Sequence, residues 1–195
     1  MDKKMIVSEV DFYFDRFFEL LLVINRKKLL DIALLLVKSR VIVCCGNGGS
    51  YSVATHIAGD LLINTKIKAN TIAIGDNTVA LTACSNDYNY ETALAIELER
   101  RMCTTTGLKT IILISTSGKS KNILNVGRKA KEIGFHVVSL VGKDPSCVEE
   151  FSDIVLSLDS KDPGFLEVAF DFVGHILIKI VRGLLDEDIF NKSSK

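Results

Sequence analysis

A glycine-rich segment follows the first strongly apolar run of the chain. Residues 41–45 have the sequence VIVCC, and residues 46–50 continue with GNGGS. Glycines let a backbone approach a ligand closely, and a helix N-terminus offers unpaired N–H groups with a partial positive charge. The segment could therefore hold an anion, or it could be a plain turn between a strand and a helix. It is not the G-x-G-x-x-G dinucleotide motif, because Tyr51 stands in place of the third glycine.

Four hydroxyl side chains surround Gly118 at a second junction of the same kind, in the sequence STSGKSKN at residues 115–122. Hydroxyls beside a helix N-terminus make a neutral, donor-rich cradle for a phosphate monoester. They can equally act as helix caps, and we expect at least one of them to do so. The GKS tripeptide is not a P-loop, since Leu113 stands where that motif has its first glycine. The four hydroxyls belong to Ser115, Thr116, Ser117 and Ser120.

A third polar segment, CSNDYNY at residues 84–90, places Asn86 next to Asp87 between two predicted helices. An Asn-Asp pair is common in turns, where both side chains hydrogen-bond to nearby backbone. The same groups can hydrogen-bond to sugar hydroxyls. The segment alone leaves both interpretations open.

Histidine is scarce in this chain, with three residues in total. His56 and Asp60 are four residues apart in a predicted helix, so their side chains share a face. Such a pair can act as a base and its orienting group, or it can bind a divalent metal. Glu167 and His175 lie in an apolar helix, nearly on one side of it but separated by about 12 Å along the axis. They could complete such a site or be polar groups satisfied inside a core. We assign no role to His136.

The positions of these residues depend on five short runs of β-branched and aliphatic residues, which alternate with helical patterns. Such continuous runs are typical of strands covered on both faces, and the alternation predicts a parallel sheet with helices on both sides. Ligands then bind where strands end and helices begin. The predicted strands are 40–45, 70–74, 109–115, 136–141 and 153–158, and the predicted helices are 50–63, 77–86, 89–103, 119–134 and 164–185.

Residues 4–38 have a helical pattern that is unusually rich in apolar residues on its outer face. This pattern indicates either a thick core or a surface buried against another subunit, and the second interpretation is favoured.

Composition excludes several classes of protein. The chain has 195 residues, of which 48% are hydrophobic, and we expect one domain over residues 1–195. Its 24 basic and 24 acidic residues balance, so we expect no nucleic-acid partner. Five cysteines without CxxC spacing suggest reduced thiols in a cytoplasmic protein. No apolar stretch is long enough for a membrane span, so no membrane association is expected.

Together these segments resemble the sugar isomerase (SIS) domain family, and most closely its phosphoheptose isomerase branch. The resemblance covers about residues 40–182. It is carried, in family order, by CGNGGS, His56 with Asp60, LTACSND, ISTSGKSKNI, LVGKD and the closing LE…GHILI.

The resemblance implies a flavodoxin-like three-layer sandwich with a five-stranded parallel sheet in an α/β core of residues 39–187. It also implies a homotetramer with active sites between subunits, in which the helices of residues 1–38 serve assembly. The segment with Ser115, Thr116, Ser117 and Ser120 would hold the substrate phosphate. The sugar would be lined by Asn47, Gly48, Gly49 and Ser50, with Asn86, Asp87 and Glu167 nearby.

The same resemblance implies one zinc ion per subunit, held by His56, Asp60, Glu167 and His175. Asp60 replaces a family glutamate and Glu167 replaces a family glutamine. The implied reaction is aldose–ketose isomerisation of sedoheptulose 7-phosphate through an enediol, with Asp60 as base and His175 as proton relay. It would supply heptose for a surface polysaccharide. The alternative is a SIS protein without catalysis, which binds sugar phosphates as a regulator or serves as a scaffold at replication initiation.

Overall fold

Five parallel strands form the central sheet of the computed structural model, which describes residues 3–102 and 104–186. The strand order is β2-β1-β3-β4-β5. The predicted parallel sheet with helices on both faces is therefore confirmed. The strands are β1 (Val41–Cys45), β2 (Asn70–Ala73), β3 (Lys109–Ser115), β4 (Phe135–Val141) and β5 (Ile154–Ser157).

Eight helices accompany the sheet within the described residues. Seven match the predicted helical patterns to within a few residues, and α7 was not predicted because four residues are too few to show a helical period. The helices are α1 (Lys3–Leu22), α2 (Arg26–Lys38), α3 (Gly49–Asn64), α4 (Thr78–Asp87), α5 (Tyr90–Met102), α6 (Lys121–Glu132), α7 (Ser146–Glu149) and α8 (Pro163–Leu185).

The two faces of the sheet each carry an apolar core. Strand β1 is buried along its whole length, with Ile42 and Cys44 in the core shared with α2, α3 and α8. The other residues of the same strand, Val41, Val43 and Cys45, belong to the core shared with α5 and α6. This double burial explains why the strands are continuous apolar runs rather than alternating ones.

Helix α8 has a well-defined start. The side chain of Asp162 accepts hydrogen bonds from the backbone N–H groups of Gly164 and Phe165, and Pro163 follows it in the first turn. A carboxylate at this position satisfies free N–H groups and favours the positive end of the helix dipole. The cap therefore fixes where the helix that bears His175 begins.

Helix α1 presents a row of large apolar side chains to solvent, as its sequence pattern predicted. Phe12, Phe14 and Phe18 are each more than half exposed, while Phe17 packs against Phe165 of α8. Within the described residues, no helix combines the length and the apolar content that crossing a bilayer requires.

The described cysteines are all free thiols, as the sequence suggested. Cys44 and Cys45 are fully buried at the end of β1, and Cys103 lies outside the described residues. Burial, with the Glu97 carboxylate as a second cause, raises the pKa of the Cys45 thiol to about 12. Burial also raises the pKa of Cys44. These thiols therefore pack as small apolar groups.

Alkylation with iodoacetamide should distinguish the buried thiols from Cys147. A thiol reacts as its thiolate, and a raised pKa leaves Cys45 protonated until the pH approaches that value, so at pH 8 it should stay unmodified. Cys147 is partly exposed and should be modified first. Peptide mass spectrometry gives the order, and a sample unfolded in guanidinium is the control in which all thiols react. Rapid modification of Cys45 in the folded protein would contradict its burial.

Candidate functional site

The two polar loops lie side by side at the carboxyl edge of the sheet. The first follows β1 and the second follows β3, and these strands are direct neighbours, with Cys45 opposite Leu113. Strand β2 lies on one side of β1, and β3, β4 and β5 follow in order on the other side. Such a switch in strand order opens a crevice in which open α/β sheets bind ligands.

A reciprocal pair of amides ties the two loops together. Asn47 Nδ2 donates to Asn122 Oδ1 at 2.9 Å, and Asn122 Nδ2 donates back to Asn47 Oδ1 at 2.8 Å. The Tyr90 hydroxyl donates to the same Asn47 oxygen at 2.9 Å. Asn122 is buried, so these bonds hold the glycine loop against the start of α6. Sequence reasoning missed Asn122 and Tyr90, because a pairing with Asn47 cannot be inferred without the fold.

Glycine is required at two points of these loops. Gly48 has a φ of 54° at the start of α3, and Gly118 has a φ of 64° in the second loop. A Cβ on Gly118 would also lie 2.8 Å from the carbonyl oxygen of Asp144. Both loops thus use backbone shapes that other residues rarely adopt.

The hydroxyl segment of residues 115–120 has donors to spare. Ser117 Oγ accepts a hydrogen bond from the Lys119 backbone N–H at 3.2 Å. Ser120 occupies the N-cap position of α6, as expected for one of the four hydroxyl residues. Its hydroxyl, however, makes no capping hydrogen bond. Within the described residues, the Ser115 and Thr116 hydroxyls also have no protein partner in the hydrogen-bond network. The segment therefore offers unused donors beside a helix N-terminus.

Lysines surround the same segment. Thr116, Ser117, Lys119, Lys143 and Lys161 line a cavity of about 340 Å³. Lys119 pairs with Asp144 at 2.8 Å and, together with hydrogen bonds from Ser146, holds the pKa of that carboxyl well below its usual range. Asp144 also lines the cavity and Lys143 pairs with Asp159 at 2.7 Å, so the lining combines hydroxyls with three lysines against one carboxylate, a balance that suits an anion.

In the third polar segment, Tyr90 contacts the glycine loop, but the Asn-Asp pair lies elsewhere. Asn86 and Asp87 form the last turn of α4, and Asn86 Nδ2 donates to Asp87 Oδ1 at 3.1 Å. Asp87 lines a cavity of about 930 Å³ together with Asp76, Arg100 and others, and no residue of segments 46–50 or 115–120 contributes to its lining.

A cluster of two imidazoles and two carboxylates lies between α3 and α8. His56 Nε2 and His175 Nδ1 are 3.6 and 3.7 Å from Asp60 Oδ2. The two rings meet edge to face, with centroids 4.9 Å apart. Asp171, which was not predicted, joins them with its Oδ1 2.7 Å from His56 Nδ1. A sequence signal existed, because Asp171 precedes His175 by one helical turn.

Glu167 lies apart from this cluster. Its carboxylate fills the space beside Gly49, where an added Cβ would come within 2.1 Å of Glu167 Oε2. Of the four residues that the resemblance assigned to zinc, the structure thus brings three together and places the fourth at the mouth of the glycine loop.

The close approach of α3 and α8 creates this arrangement. A Cβ on Gly174 would lie 2.7 Å from Ile57 Cγ1, so only glycine allows the helices to pack at this distance. Contacts advance in the same direction on both helices, from Gly49 with Glu167 to Ile57 with Gly174, so the helices run side by side and parallel. His56 and His175 are the immediate neighbours of this contact.

The cluster has the donor types of a divalent metal site. His56, Asp171 and His175 each offer a ligand atom within 4.8 Å of the others, and Asp60 Oδ2 lies near both imidazoles. Imidazole and carboxylate donors suit zinc and several other divalent ions. The residues present therefore fit a metal ion.

Comparison with known proteins gives consistent matches. Residues 26–142 match the model of the SIS domain family. The phosphoheptose isomerase of Helicobacter pylori (strain HPAG1) is 38% identical over 146 residues, covering 72% of this chain and 73% of that protein. The phosphoheptose isomerase of a Nitratiruptor species is 34% identical, covering 72% of this chain and 75% of that protein. The phosphoheptose isomerase structure from Neisseria gonorrhoeae has a TM-score of 0.81 at 24% identity, covering 90% of this chain and 98% of that one.

Alanine at Gly174 and at Gly183 should have opposite effects on stability. At Gly174 the new methyl group meets Ile57, and overpacking of this kind costs about 1–3 kcal/mol. At Gly183, near the end of the same helix, a Cβ has open space, and the substitution should add about 0.5 kcal/mol through helix propensity. Urea unfolding followed by circular dichroism measures both free energies. Equal effects of the two substitutions would refute the close α3–α8 contact.

Proposed function

The chain belongs to the SIS domain family, and on that premise we propose that it is an isomerase that interconverts sedoheptulose 7-phosphate and D-glycero-D-manno-heptose 7-phosphate. The named relatives are phosphoheptose isomerases. The observation that carries the proposal is the cluster of His56, Asp60 and His175, which combines a carboxylate with two imidazoles between α3 and α8. A protein that only binds sugar phosphates has no use for acid and base groups at that point.

The phosphate of the substrate is assigned to the hydroxyl segment. Ser120 and Thr116 have hydroxyls that no described group uses, and α6 begins directly behind them. An anion at that position would accept hydrogen bonds from the hydroxyls and from the first N–H groups of the helix. Binding energy gained at the phosphate would orient the reacting end of an open-chain sugar.

The reacting end of the sugar is assigned to the cluster. In the ketose-to-aldose direction, Asp60 takes a proton from C1 and protonated His175 gives a proton to the C2 carbonyl oxygen, which gives an enediol. His175 then takes the proton of the C1 hydroxyl and Asp60 returns its proton to C2, which completes the aldose and restores both groups. Asp60 Oδ2 lies 3.7 Å from His175 Nδ1, so both groups can reach adjacent atoms of one substrate.

Zinc is the metal proposed for the cluster, with His56, Asp60 and His175 as ligands. A bound divalent ion would stabilise negative charge on the oxygens of the carbonyl and the enediol. Glu167, the fourth ligand implied by the family resemblance, lies at the glycine loop in this structure, and we assign it to contact with the sugar hydroxyls. Asn47, Gly48, Gly49 and Ser50 are the proposed neighbours of that sugar.

Assembly into a homotetramer is proposed for the exposed face of α1. Phe12, Phe14, Phe18 and Leu22 are each more than half exposed on one helix, and apolar surface of this extent is usually covered. We further expect the enzyme to work in the cytoplasm, where the free thiols of Cys44 and Cys45 would remain reduced.

Replacing Asp60 by asparagine should strongly slow the isomerisation. The amide cannot accept the carbon-bound proton, so kcat should fall by about 100-fold or more. The measurement is conversion of sedoheptulose 7-phosphate to the aldose, followed by chromatography. The control is His136→Gln, an exposed site on β4 that should leave the rate unchanged. Wild-type protein that binds sugar phosphates but turns over none would instead support the regulator or scaffold.

Replacing Ser120 by alanine should weaken substrate binding more than it slows the chemistry. Loss of one hydrogen bond to a charged group costs about 1.5–3 kcal/mol, so KM should rise by about 10- to 100-fold. Thr82→Ala on α4 is the control, since that hydroxyl bonds to its own helix. Steady-state kinetics with the phosphorylated sugar give both constants. An unchanged KM would remove Ser120 from the phosphate site.

A further inference from the structure

In the cluster, the two imidazoles and the two carboxylates alternate in space. His56 faces Asp60 with Nε2 and Asp171 with Nδ1. His175 faces Asp60 with Nδ1 and Asp171 with Nε2. Each imidazole therefore lies between two carboxylates. In each ring, one nitrogen faces Asp60 and the other faces Asp171.

One of the four distances differs in kind from the other three. The two contacts with Asp60 are 3.6 and 3.7 Å, too long for hydrogen bonds. They are close to the separation of about 3.3–3.6 Å expected between two ligands of a tetrahedral zinc ion, given bonds of about 2.0–2.2 Å. The contact of His56 with Asp171 is 2.7 Å, which is the length of a charge-assisted hydrogen bond. It is too short for two atoms that share one tetrahedral ion.

We propose that Asp171 is a positioning residue, which accepts a hydrogen bond from His56 Nδ1–H and thereby directs the bare Nε2 towards Asp60. The second oxygen of Asp171 lies 3.8 Å from His175 Nε2. In both imidazoles, the same carboxylate therefore faces the nitrogen that does not face Asp60. The hydrogen bond made by one imidazole nitrogen decides which nitrogen remains free to bind a metal or to accept a proton. As a contributor to metal binding, this role rests on the function proposed above.

The neighbouring carboxylate on α8 provides a matched control. Glu167 is one helical turn before Asp171, and its carboxylate lies beside Gly49 rather than beside an imidazole. Glu167→Gln removes the same negative charge as Asp171→Ala from the same helix. A general effect of charge or of α8 would therefore appear in both variants, whereas orientation of His56 would be lost only in Asp171→Ala.

The tautomer of His56 can be observed without metal or substrate. The chain has three histidines, so long-range ¹⁵N–¹H correlation spectra of ¹⁵N-histidine-labelled, metal-free protein can be assigned by substituting each histidine in turn. At pH 8.5, where an ordinary imidazole is neutral, His56 should carry its proton on Nδ1 in the wild type and in Glu167→Gln. In Asp171→Ala this preference should be lost. An Nε2–H tautomer of His56 in the wild type, or an unchanged tautomer in Asp171→Ala, would overturn the proposal.

Cobalt(II) provides a second readout. The affinity of Asp171→Ala for cobalt(II) should be about 10- to 100-fold weaker than that of the wild type, as is typical for loss of a group that orients a metal ligand. The visible absorption of the bound ion should be unchanged, because all direct ligands remain. A changed spectrum would make Asp171 a ligand and refute the positioning role. If the wild type binds no cobalt(II), the metal part of the proposed function fails, while the tautomer measurement still decides the bond between His56 and Asp171.

Discussion

The close contact between α3 and α8 is the constraint on which the candidate site depends. Gly174 has no side chain, so Ile57 can pack directly on the backbone of α8, and the residues next to this contact are His56 and His175. A wider gap would separate the imidazoles from the carboxylates of the opposite helix. The chemistry of the cluster is therefore a consequence of an apolar packing contact, since neither helix carries the complete set of groups.

A second constraint holds the loops. Asn47 and Asn122 each use an amide donor and an amide acceptor on the other, so a buried polar pair is satisfied within itself. This pair couples the glycine loop after β1 to the helix that follows the hydroxyl segment. Because Gly49 begins α3, the loops and the cluster belong to one continuous framework rather than to separately mobile parts.

The fold was predictable because its signals are local. Continuous apolar runs identified all five strands, and the order of strands and helices predicted the parallel sheet. The pairing of His56 with Asp60 followed from helical spacing alone. The place of Glu167 did not follow from spacing in the same way. Glu167 precedes His175 by eight residues, which puts both on one side of α8 but about 12 Å apart along the helix axis. Asn122 was missed because its partner lies on another element, and Asp171 because its short contact is with His56 on α3, although its spacing from His175 on α8 was a signal.

Helices α3, α6 and α8 all begin at the edge of the sheet where the two polar loops lie, as the contact of Gly49 with Glu167 and the shared cavity of Thr116 and Pro163 show. Each helix start carries about half a positive charge from its aligned peptide groups. The formal charges of the chain sum to zero, yet these three helix starts add positive potential where the two polar loops lie. This contribution of the backbone adds to that of the nearby lysines and acts on an anion that is bound within the first turn of a helix.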